Sequence, residues 1–467
     1  MEWNKLHLIK SSDSNLAFYY PTYTLIEISD TVFNVLERVK SSDSLQEIAM
    51  DFNFQEKELS DFLENIESKL TADNAISNIT VNRNSRNIFR ITLHISNDCN
   101  LRCKYCYADG GNYNLSRGLM TIETAQNFVD FCVQHFDNIG NIVFFGGEPL
   151  MNIDAMEYIC EKIDEYHRQG RIKKLPTFGI ITNGTIINER LLALMKKYIS
   201  FITVSIDGPK AINDANRVYP NGSGSYDKID KFIKTIKSET NVDIKYEATY
   251  TESHIQENIS KKELTTFFLD EFAMEGTIAD EMSLNVDSCQ ELSDFFKKEN
   301  FTTSDLRNLP RSFWDILTTI VYKKPKQMCQ IYSEIVAISA EGDIYPCHIN
   351  TGKEHLRLGN ISGRNIFNSP DEYKTEYPLF FNLNNREEIC GDCWAQNICG
   401  GCTMLWFYDE NDENYTTQPN ESLCLSNKKF LEDILLLISN IRKNPEKWKL
   451  FQEYINNKKA STVLRCS

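Results

Sequence analysis

The chain has 467 residues, more than one compact core holds, so the sequence predicts two or three domains. Its 50 Lys and Arg against 66 Asp and Glu give a formal net charge of −16, which argues against nucleic acid as a partner. The sequence shows no signal-peptide pattern and no run of 18 apolar residues, so we expect a cytoplasmic protein without a membrane segment.

The first 85 residues are predicted to form a small separate domain. Its three β-prone runs and three helical patterns lie, in chain order, at 6–9, 16–20, 23–28, 31–39, 44–51 and 56–70. Ser44 and Glu47 have the spacing of a capping box at the start of the second helix. Strands followed by a helix-turn-helix are typical of a winged-helix domain, and the polar residues 74–86 suit a linker.

Residues 88–324 alternate between β-prone and helical patterns. The β-prone runs are 89–95, 142–145, 178–181, 202–206, 244–250 and 282–286. Helical periodicity between them is clearest at 122–136, 155–166 and 189–198. Because repeated βα units form a parallel sheet, six of them predict an α/β fold of the partial (β/α)6 TIM barrel type. Its chemistry is then expected at the carboxyl ends of the strands.

The remaining chain divides into a loop-rich, Cys-rich segment at 325–426 and a carboxyl-terminal segment, 427–467, with a helical pattern at 431–455. The 14 cysteines of the chain are clustered rather than scattered. A large protein in a reducing compartment does not need a disulfide framework, so the clusters indicate metal binding.

A C-x3-C-x2-C pattern directly follows the first strand of the βα region, at Cys99, Cys103 and Cys106. Three thiolates can bind three corners of a 4Fe-4S cube and leave the fourth iron without a protein ligand. A structural zinc site is the alternative, but it prefers four ligands, and no fourth cysteine lies nearby.

This pattern, with Tyr105 before the last cysteine, resembles the radical S-adenosylmethionine (SAM) superfamily, whose fold is a partial βα barrel. The resemblance implies that the open iron binds SAM, and that electron transfer cleaves SAM to a 5′-deoxyadenosyl radical that abstracts a hydrogen from the substrate. An electron donor such as flavodoxin or ferredoxin is implied as well.

Short polar or glycine-rich motifs follow the next three strands in the order that the superfamily shows. The resemblance implies that Glu148 accepts the SAM ammonium and that Ser205 and Asp207 meet its carboxylate or ribose. A solvated surface arginine is the alternative for Arg217, which otherwise lies near the SAM carboxylate. The implied cofactor-binding residues are Tyr105, Gly146, Gly147, Glu148, Pro149, Asn183, Ser205, Asp207 and Arg217.

The carboxyl-terminal cysteines resemble the SPASM extension, which binds two auxiliary 4Fe-4S clusters. The resemblance implies one ligand set for a distal cluster and one for a proximal cluster, making three clusters in all: Cys390, Cys393, Cys399 and Cys424, and Cys329, Cys347 and Cys402. The last interval of the C-x2-C-x5-C-x2-C quartet departs from the usual x3, and a zinc site with four sulfurs is its alternative. The other cysteines are expected to be plain thiols: Cys132, Cys160, Cys289 and Cys466.

Enzymes of the SPASM branch mostly act on peptides, and residues 1–85 are similar in outline to the PqqD-like element that binds a leader peptide. A DNA-binding winged helix is the alternative, which the acidic charge disfavours. His348 stands where sulfatase-type relatives carry an Asp base. It is either a base or a loop histidine.

Together these features predict a maturase that forms thioether links from Cys sulfur to carbon in a Cys-rich precursor peptide with a leader. The open site on the proximal cluster suits a thiolate of the substrate. Two alternatives remain: a radical SAM enzyme that forms carbon-carbon links or oxidises one residue, and a zinc-containing leader-binding module without catalysis.

Overall fold

The structure is a computed structural model that describes most of the chain. The described residues are 1–12, 14–41, 43–73, 86–272, 277–280, 311–323, 334–377, 390–396, 398–399, 406–409, 414–416 and 418–463. The chain divides into two compact units, each built from separate stretches. The first unit contains Met1–Thr80, Asn285–Cys329 and Asn382–Ser467, and the second contains Val81–Leu284 and Gln330–Phe381. The domain boundaries expected from the sequence stay predictions.

The secondary structure follows the predicted alternation closely. The strands are β1 (Leu6–Ile9), β2 (Asn15–Tyr19), β3 (Thr24–Ile28), β4 (Asn87–Ser96), β5 (Asn138–Gly146), β6 (Thr177–Thr182), β7 (Ile199–Ser205), β8 (Asp243–Tyr250), β9 (Thr277–Asp280), β10 (Ile335–Ile338), β11 (Ile344–Tyr345), β12 (Tyr408–Asp409) and β13 (Asn414–Tyr415). The helices are α1 (Asp30–Lys40), α2 (Leu45–Asp51), α3 (Glu56–Leu70), α4 (Ile122–His135), α5 (Ile153–Arg168), α6 (Glu189–Tyr198), α7 (Lys210–Asn216), α8 (Tyr226–Glu239), α9 (Glu252–Gln256), α10 (Lys261–Phe272), α11 (Arg311–Tyr322), α12 (Pro370–Glu376), α13 (Glu421–Arg442) and α14 (Pro445–Val463).

The first unit begins with an antiparallel sheet in the order β1-β2-β3, followed by three helices. The Ser44 hydroxyl accepts a hydrogen bond from the Glu47 N–H at 3.2 Å and so caps α2, as its spacing predicts. The Gln55 N–H donates to the Glu58 carboxylate at 3.1 Å and fixes the start of α3. The predicted strands and helices of residues 1–70 are confirmed, and the winged-helix assignment stays a prediction.

The sheet of the first unit is covered on both faces. Leu16 and Phe18 of β2 pack into a core with side chains of α11, α13 and α14, and Ala17 and Tyr19 pack into a second core with α1, α2 and α3. Successive side chains of a strand point to opposite faces, so a strand between two helical layers is buried throughout. All five residues of β2 are buried for this reason.

The helical pattern predicted at 431–455 is confirmed, but it belongs to two helices. The break falls between α13 and α14, where the Asn444 side chain accepts hydrogen bonds from the N–H groups of Glu446 and Lys447 at 3.1 Å. Pro445 stands at the start of α14, where a missing N–H costs nothing. The sequence pattern does not show the break because helical periodicity continues across the cap.

The second unit contains one sheet in the order β11-β10-β4-β5-β6-β7-β8-β9. All neighbouring strands from β10 to β9 are parallel, and β11 pairs antiparallel with β10. The predicted parallel α/β sheet is confirmed, while the closure of six units into a partial barrel stays a prediction. The sixth strand is β9, and the predicted run 282–286 lies outside the described residues.

The chain after the βα region returns to this sheet. Residues 335–338 of β10 pair with 90–93 of β4 in parallel register. The Cys-rich segment is thereby joined to β4, the strand that leads into the first cysteine motif. Within the described part of the chain, no helix has the length and apolar character needed to span a membrane.

Candidate functional site

The first three cysteines lie on a loop that leaves the carboxyl end of β4. On one side this loop is tied to the turn after β5, because the Gly147 N–H donates to the Ser96 carbonyl at 2.8 Å and the Glu148 N–H donates to the Asp98 carbonyl at 2.9 Å. These two bonds bring residues 146–149, whose sequence is Gly-Gly-Glu-Pro (the GGEP motif), against the start of the cysteine loop.

The other side of the cysteine loop is tied to the last residue of α7 and to a residue just after this helix. The Arg102 N–H donates to the Val218 carbonyl at 2.7 Å, and the Lys104 N–H donates to the Asn216 carbonyl at 3.1 Å. Backbone bonds on both sides fix the path of the loop without using any cysteine side chain. The three thiols therefore stay available as ligands.

Two glycines make the close approach of the loops possible. A Cβ on Gly146, whose φ is +126°, would lie 2.2 Å from the Ser96 carbonyl oxygen, and one on Gly147 would lie 2.2 Å from the Asp98 carbonyl oxygen. No side chain fits at either position. These contacts give the physical reason for the glycines that the sequence analysis assigned to the site.

The thiols have surroundings that suit iron-sulfur ligation. The Cys99 Sγ accepts hydrogen bonds from the Leu101 N–H at 3.4 Å and from the Asn183 side-chain amide at 3.5 Å. Burial raises the pKa of Cys99 to about 12 and that of Cys103 to about 11. Such thiols ionise when a metal supplies positive charge. Three soft sulfurs, of which Cys99 has two N–H donors, therefore fit a 4Fe-4S cluster.

Glu148 is fully buried at the point where the turns after β5 and β6 meet. Its carboxylate accepts hydrogen bonds from the Thr182 hydroxyl at 2.6 Å, the Asn183 N–H at 2.7 Å and the Leu150 N–H at 2.9 Å. Burial raises its pKa to about 7 despite these donors. Pro149, which has no N–H group, begins a short 3-10 turn, and the Leu150 N–H in this turn donates to the Glu148 carboxylate.

Asn183 connects the turn after β6 to the cysteine loop. Its side-chain amide donates to Cys99 and, at 2.9 Å, to the side-chain oxygen of Asn100, and its own oxygen accepts from the Thr185 hydroxyl at 2.7 Å. The structure thus brings Cys99, Glu148 and Asn183 together, as predicted from motifs at three separate strand ends.

Tyr105, Asp207 and Arg217 form a buried hydrogen-bonded group beneath the cysteine loop. The Tyr105 hydroxyl donates to the Asp207 carboxylate at 2.7 Å, and the Arg217 Nε donates to it at 3.0 Å. The Thr249 N–H donates to the same carboxylate at 3.1 Å. Arg217 is only 7% exposed, so the alternative of a solvated surface arginine is wrong. Asp207 holds the aromatic residue of the motif in place.

Ser205 is at the carboxyl end of β7 and is half-buried. Its register partner on β8 is Glu247, and paired residues of neighbouring strands share one face of the sheet. Glu247 is a residue that the sequence analysis missed. The only feature of the sequence that pointed to it is an acidic residue within the β-prone run 244–250.

Cys347 and His348 follow β11, in the same unit as the first three cysteines. Cys347 is buried, with its thiol donating to the Asn350 side-chain oxygen at 3.2 Å. The His348 ring packs edge-on against Phe145, with centroids 5.3 Å apart. Burial, followed by the charge of Arg90, lowers the pKa of His348 to about 4, which makes it a weak base.

Tyr107, which was not predicted as a site residue, directly follows Cys106. Its ring packs edge-on against Tyr113, with centroids 5.8 Å apart. Although 65% of the residue is exposed to solvent, this ring contact holds it beside the cysteine loop.

The quartet of the first unit is partly described. Cys390, Cys393 and Cys399 lie close together in sequence, and Cys424 in the first turn of α13 is near enough to Cys390 and Cys393 for them to raise its pKa, after burial. The Asn427 side chain donates to the Cys399 Sγ at 3.3 Å. Cys329 and Cys402 lie outside the described residues, so the proximal ligand set stays a prediction.

Of the cysteines expected to be plain thiols, Cys132 and Cys160 are buried in α4 and α5, while Cys289 and Cys466 lie outside the described residues. Among the described residues, no three His, Cys, Asp or Glu side chains gather to hold a single metal ion. A cubic cluster binds its thiolates at separate irons, so its ligands need not converge in that way.

Two family models match the chain in the regions just described. The radical SAM superfamily matches residues 93–250, and the iron-sulfur cluster-binding SPASM domain matches residues 329–394. The first match spans β4 to β8 with all of the strand-end motifs. The second begins at Cys329 and ends just after Cys393.

Several curated proteins are similar to the chain. The radical SAM cyclopropyl synthase TigE of Paramaledivibacter caminithermalis is 26% identical over 50% of this chain, and the match spans only 54% of TigE. The cysteine-type anaerobic sulfatase-maturating enzyme of Clostridium perfringens is 25% identical over 75% of this chain and 96% of its own length. The subtilosin biosynthesis protein AlbA of Bacillus subtilis is 24% identical over 78% of both chains.

A solved structure, native anSMEcpe with bound AdoMet and the Cp18Cys peptide, aligns with 75% of this chain and 98% of its own at a TM-score of 0.58 and 22% identity. It supports the same fold. With both domain models in their expected order, and the cysteine motifs at the strand ends where the structure brings them together, the chain contains a radical SAM region followed by a SPASM region, which indicates an enzyme and implies SAM and 4Fe-4S clusters as its cofactors.

Proposed function

We propose that this enzyme is a maturase that forms thioether links, from Cys sulfur to carbon, in a ribosomally made Cys-containing peptide. When bound, SAM and the reduced cluster at Cys99, Cys103 and Cys106 supply a 5′-deoxyadenosyl radical that removes a hydrogen atom from the peptide. The residues of the chain position SAM, exclude water and hold the peptide thiol.

The observation that carries the proposal is that the segment with Cys347 packs against the SAM-binding motifs within the second unit. The ring of His348, next to Cys347, contacts Phe145 with centroids 5.3 Å apart, and Phe145 directly precedes residues 146–149. The Thr351 hydroxyl lies 3.3 Å from the His94 Nε2 of β4, the strand that leads to the first three cysteines. A peptide bound there would meet both the SAM-binding cysteines and a SPASM cysteine, which suits a bond between its carbon and its sulfur.

The proposed cofactors are SAM and three 4Fe-4S clusters. The SAM-binding site takes Tyr105, the GGEP residues, Asn183, Ser205, Asp207 and Arg217 in the positions described above. Cys390, Cys393, Cys399 and Cys424 hold the distal cluster, and Cys329, Cys347 and Cys402 hold the proximal cluster and leave one iron for the substrate thiolate. A flavodoxin or ferredoxin supplies electrons.

The amino-terminal sheet is the proposed site for the leader of the precursor peptide. In the described residues β3 pairs only with β2, so its other edge can add an extended peptide strand through backbone hydrogen bonds. The likeness to AlbA, a bacteriocin biosynthesis protein, supports a peptide substrate, as does the Cys peptide bound to the solved relative.

Anaerobic turnover tests the proposal. The purified enzyme is given SAM, a reductant and a Cys-containing peptide with a leader, sought among the short reading frames beside its gene, and the product is alkylated before mass spectrometry. A thioether lowers the peptide mass by about two units per link and removes one alkylatable thiol each time. Formation of 5′-deoxyadenosine with an unchanged peptide mass would contradict it.

Residue oxidation is the second candidate, because the sulfatase-maturating enzyme matches over 75% of the chain. It predicts an aldehyde that a hydrazine reagent traps, whereas a carbon-carbon link predicts the mass loss with every thiol retained. Iron analysis separates both from a zinc-containing binding module, since three cubic clusters predict about twelve iron atoms per chain.

A further inference from the structure

Glu247 faces the candidate site from the middle of the parallel sheet. Its register partner on β7 is Ser205, so the two side chains lie next to each other on one face. The Ile206 N–H donates to the Glu247 carbonyl at 2.9 Å, and two residues farther along β8 the Thr249 N–H binds Asp207. The backbone around Glu247 is therefore fixed to the loop that carries Asp207.

The carboxylate of Glu247 makes no hydrogen bond or ion pair with any described residue, although the side chain is half-buried. The nearest cation by electrostatic effect, Arg217, is already bound to Asp207 at 3.0 Å. Because the side chain is half-buried and not fully buried, water reaches the carboxylate, and a bound molecule can replace that water as its hydrogen-bond donor.

The side chain of Glu247 points to the face of the sheet opposite α10. Its neighbour Tyr246 stacks on Phe272 of α10, with centroids 4.3 Å apart, and successive side chains of a strand point to opposite faces. Glu247 therefore shares the face away from α10 with Ser205, a predicted SAM-binding residue, beside the loop that carries Asp207. Burial raises the pKa of Glu247 itself, Arg217 lowers it and Asp207 raises it, so the net effect of the surroundings is a stronger base.

We propose that Glu247 accepts the thiol proton of the substrate cysteine, so that the sulfur is a thiolate when it bonds to carbon. This role rests on the proposed function and supplies the proton acceptor that it needs. Over the whole reaction the substrate gives one hydrogen atom from carbon to the deoxyadenosyl radical, one proton from sulfur to Glu247 and one electron to an auxiliary cluster. The peptide loses two hydrogens in total, and charge balances.

Glu247→Gln tests the role because glutamine keeps the shape of the side chain and accepts no proton. The probe is a synthetic copy of the Cys-containing peptide that the wild-type enzyme converts, deuterated at the acceptor carbon. We expect deuterium to reach 5′-deoxyadenosine at close to the wild-type rate, while thioether yield falls by about 100-fold or more. Iron content and SAM cleavage report on folding and cofactor binding.

A selenocysteine version of the peptide provides chemical rescue. A selenol is already ionised at neutral pH, so Glu247→Gln should form the selenoether near the wild-type rate. Glu257→Gln, which removes an exposed carboxylate just after α9, serves as the matched control and should leave both products unchanged.

The outcomes separate the role from the function on which it rests. Wild-type enzyme that leaves all thiols alkylatable overturns the proposed function, and the role of Glu247 with it. Wild-type thioether formation with an unaffected Glu247→Gln variant overturns only the role of Glu247. Loss of deuterium transfer in the variant without selenocysteine rescue also overturns it, because Glu247 then serves SAM binding instead.

Discussion

His7 stacks face to face on Trp394, with ring centroids 3.8 Å apart and planes 6° apart. The His7 Nε2 also lies 3.0 Å from the Glu432 carboxylate of α13. Trp394 directly follows Cys393, so the first strand of the amino-terminal sheet contacts the proposed distal-cluster segment within the first unit. The stack joins the peptide-binding sheet of the proposal to a cluster-binding loop.

Removing this stack should destabilise the first unit and loosen the cysteine segment. We expect Trp394→Ala to lower the free energy of unfolding by about 2–4 kcal/mol, through lost burial and aromatic contact. His7→Phe keeps a stacking ring and should cost much less than His7→Ala. Denaturant unfolding and iron content measure both effects. Equal losses in His7→Phe and His7→Ala would contradict a role for the ring.

SAM binding should depend on pH through Glu148. Its folded-state pKa is raised to about 7, so the carboxylate that attracts cationic SAM is mostly protonated at pH 6 and mostly ionised at pH 8. Binding must then displace a proton at the lower pH, and affinity should rise by about tenfold between pH 6 and 8. Equilibrium dialysis with cluster-loaded protein measures this.

Two variants sharpen the pH test. Glu148→Gln should bind SAM weakly at both pH values. Thr182→Val removes a donor that favours the ionised form and should move the midpoint to higher pH. Affinity that falls as pH rises in the wild type would show that Glu148 does not receive the cation.

Gly147→Ala should separate the GGEP turn from the cysteine loop. Its Cβ would lie 2.2 Å from the Asp98 carbonyl oxygen, and overpacking of this kind costs about 1–3 kcal/mol. The expected result is loss of iron from the first site and loss of SAM binding. Gly118→Ala is the control, because nothing lies within 4 Å of its Cβ. Full iron and SAM binding in Gly147→Ala would refute the contact.

Asp207→Ala should leave the buried guanidinium of Arg217 without its carboxylate. Breaking a buried ion pair in this way costs about 3–5 kcal/mol, and Tyr105 loses its acceptor as well. Asp154→Asn, which breaks the exposed pair of Asp154 with Arg190, should leave stability unchanged. Denaturant unfolding measures the free energy of unfolding of the two variants. Equal values would contradict the role of Asp207 as the partner of Arg217 and Tyr105.

The sequence was sufficient for the strands and for the motifs at their ends. Each of the first five βα strands was predicted within a few residues, because parallel strands buried on both faces read as apolar runs. The convergence of Cys99, Glu148 and Asn183 followed from the same logic, since the carboxyl ends of parallel strands meet at one edge of the sheet.

Other features depend on contacts between distant parts of the chain, which local pattern does not encode. The short run Ile335–Ile338 carries no sign that it will pair with β4. From the sequence alone, Arg217 cannot be distinguished from a surface arginine, because its ion pair with Asp207 depends on the fold. Glu247 could be recognised as a site residue only from the strand register, which pairs it with Ser205. Its carboxylate also has no hydrogen-bond partner among the described residues.

The pairing of β10 with β4 also bears on how the protein can be divided. A shortened chain that ends before residue 330 would leave the N–H and C=O groups of β4 as an open edge beside a deeply apolar strand. Exposed edges of this kind recruit other strands, so the βα region expressed alone should aggregate. The two-residue β11, by contrast, is too short to pair with a strand of another molecule. The segment that contains β10 and β11 therefore protects the sheet from self-association.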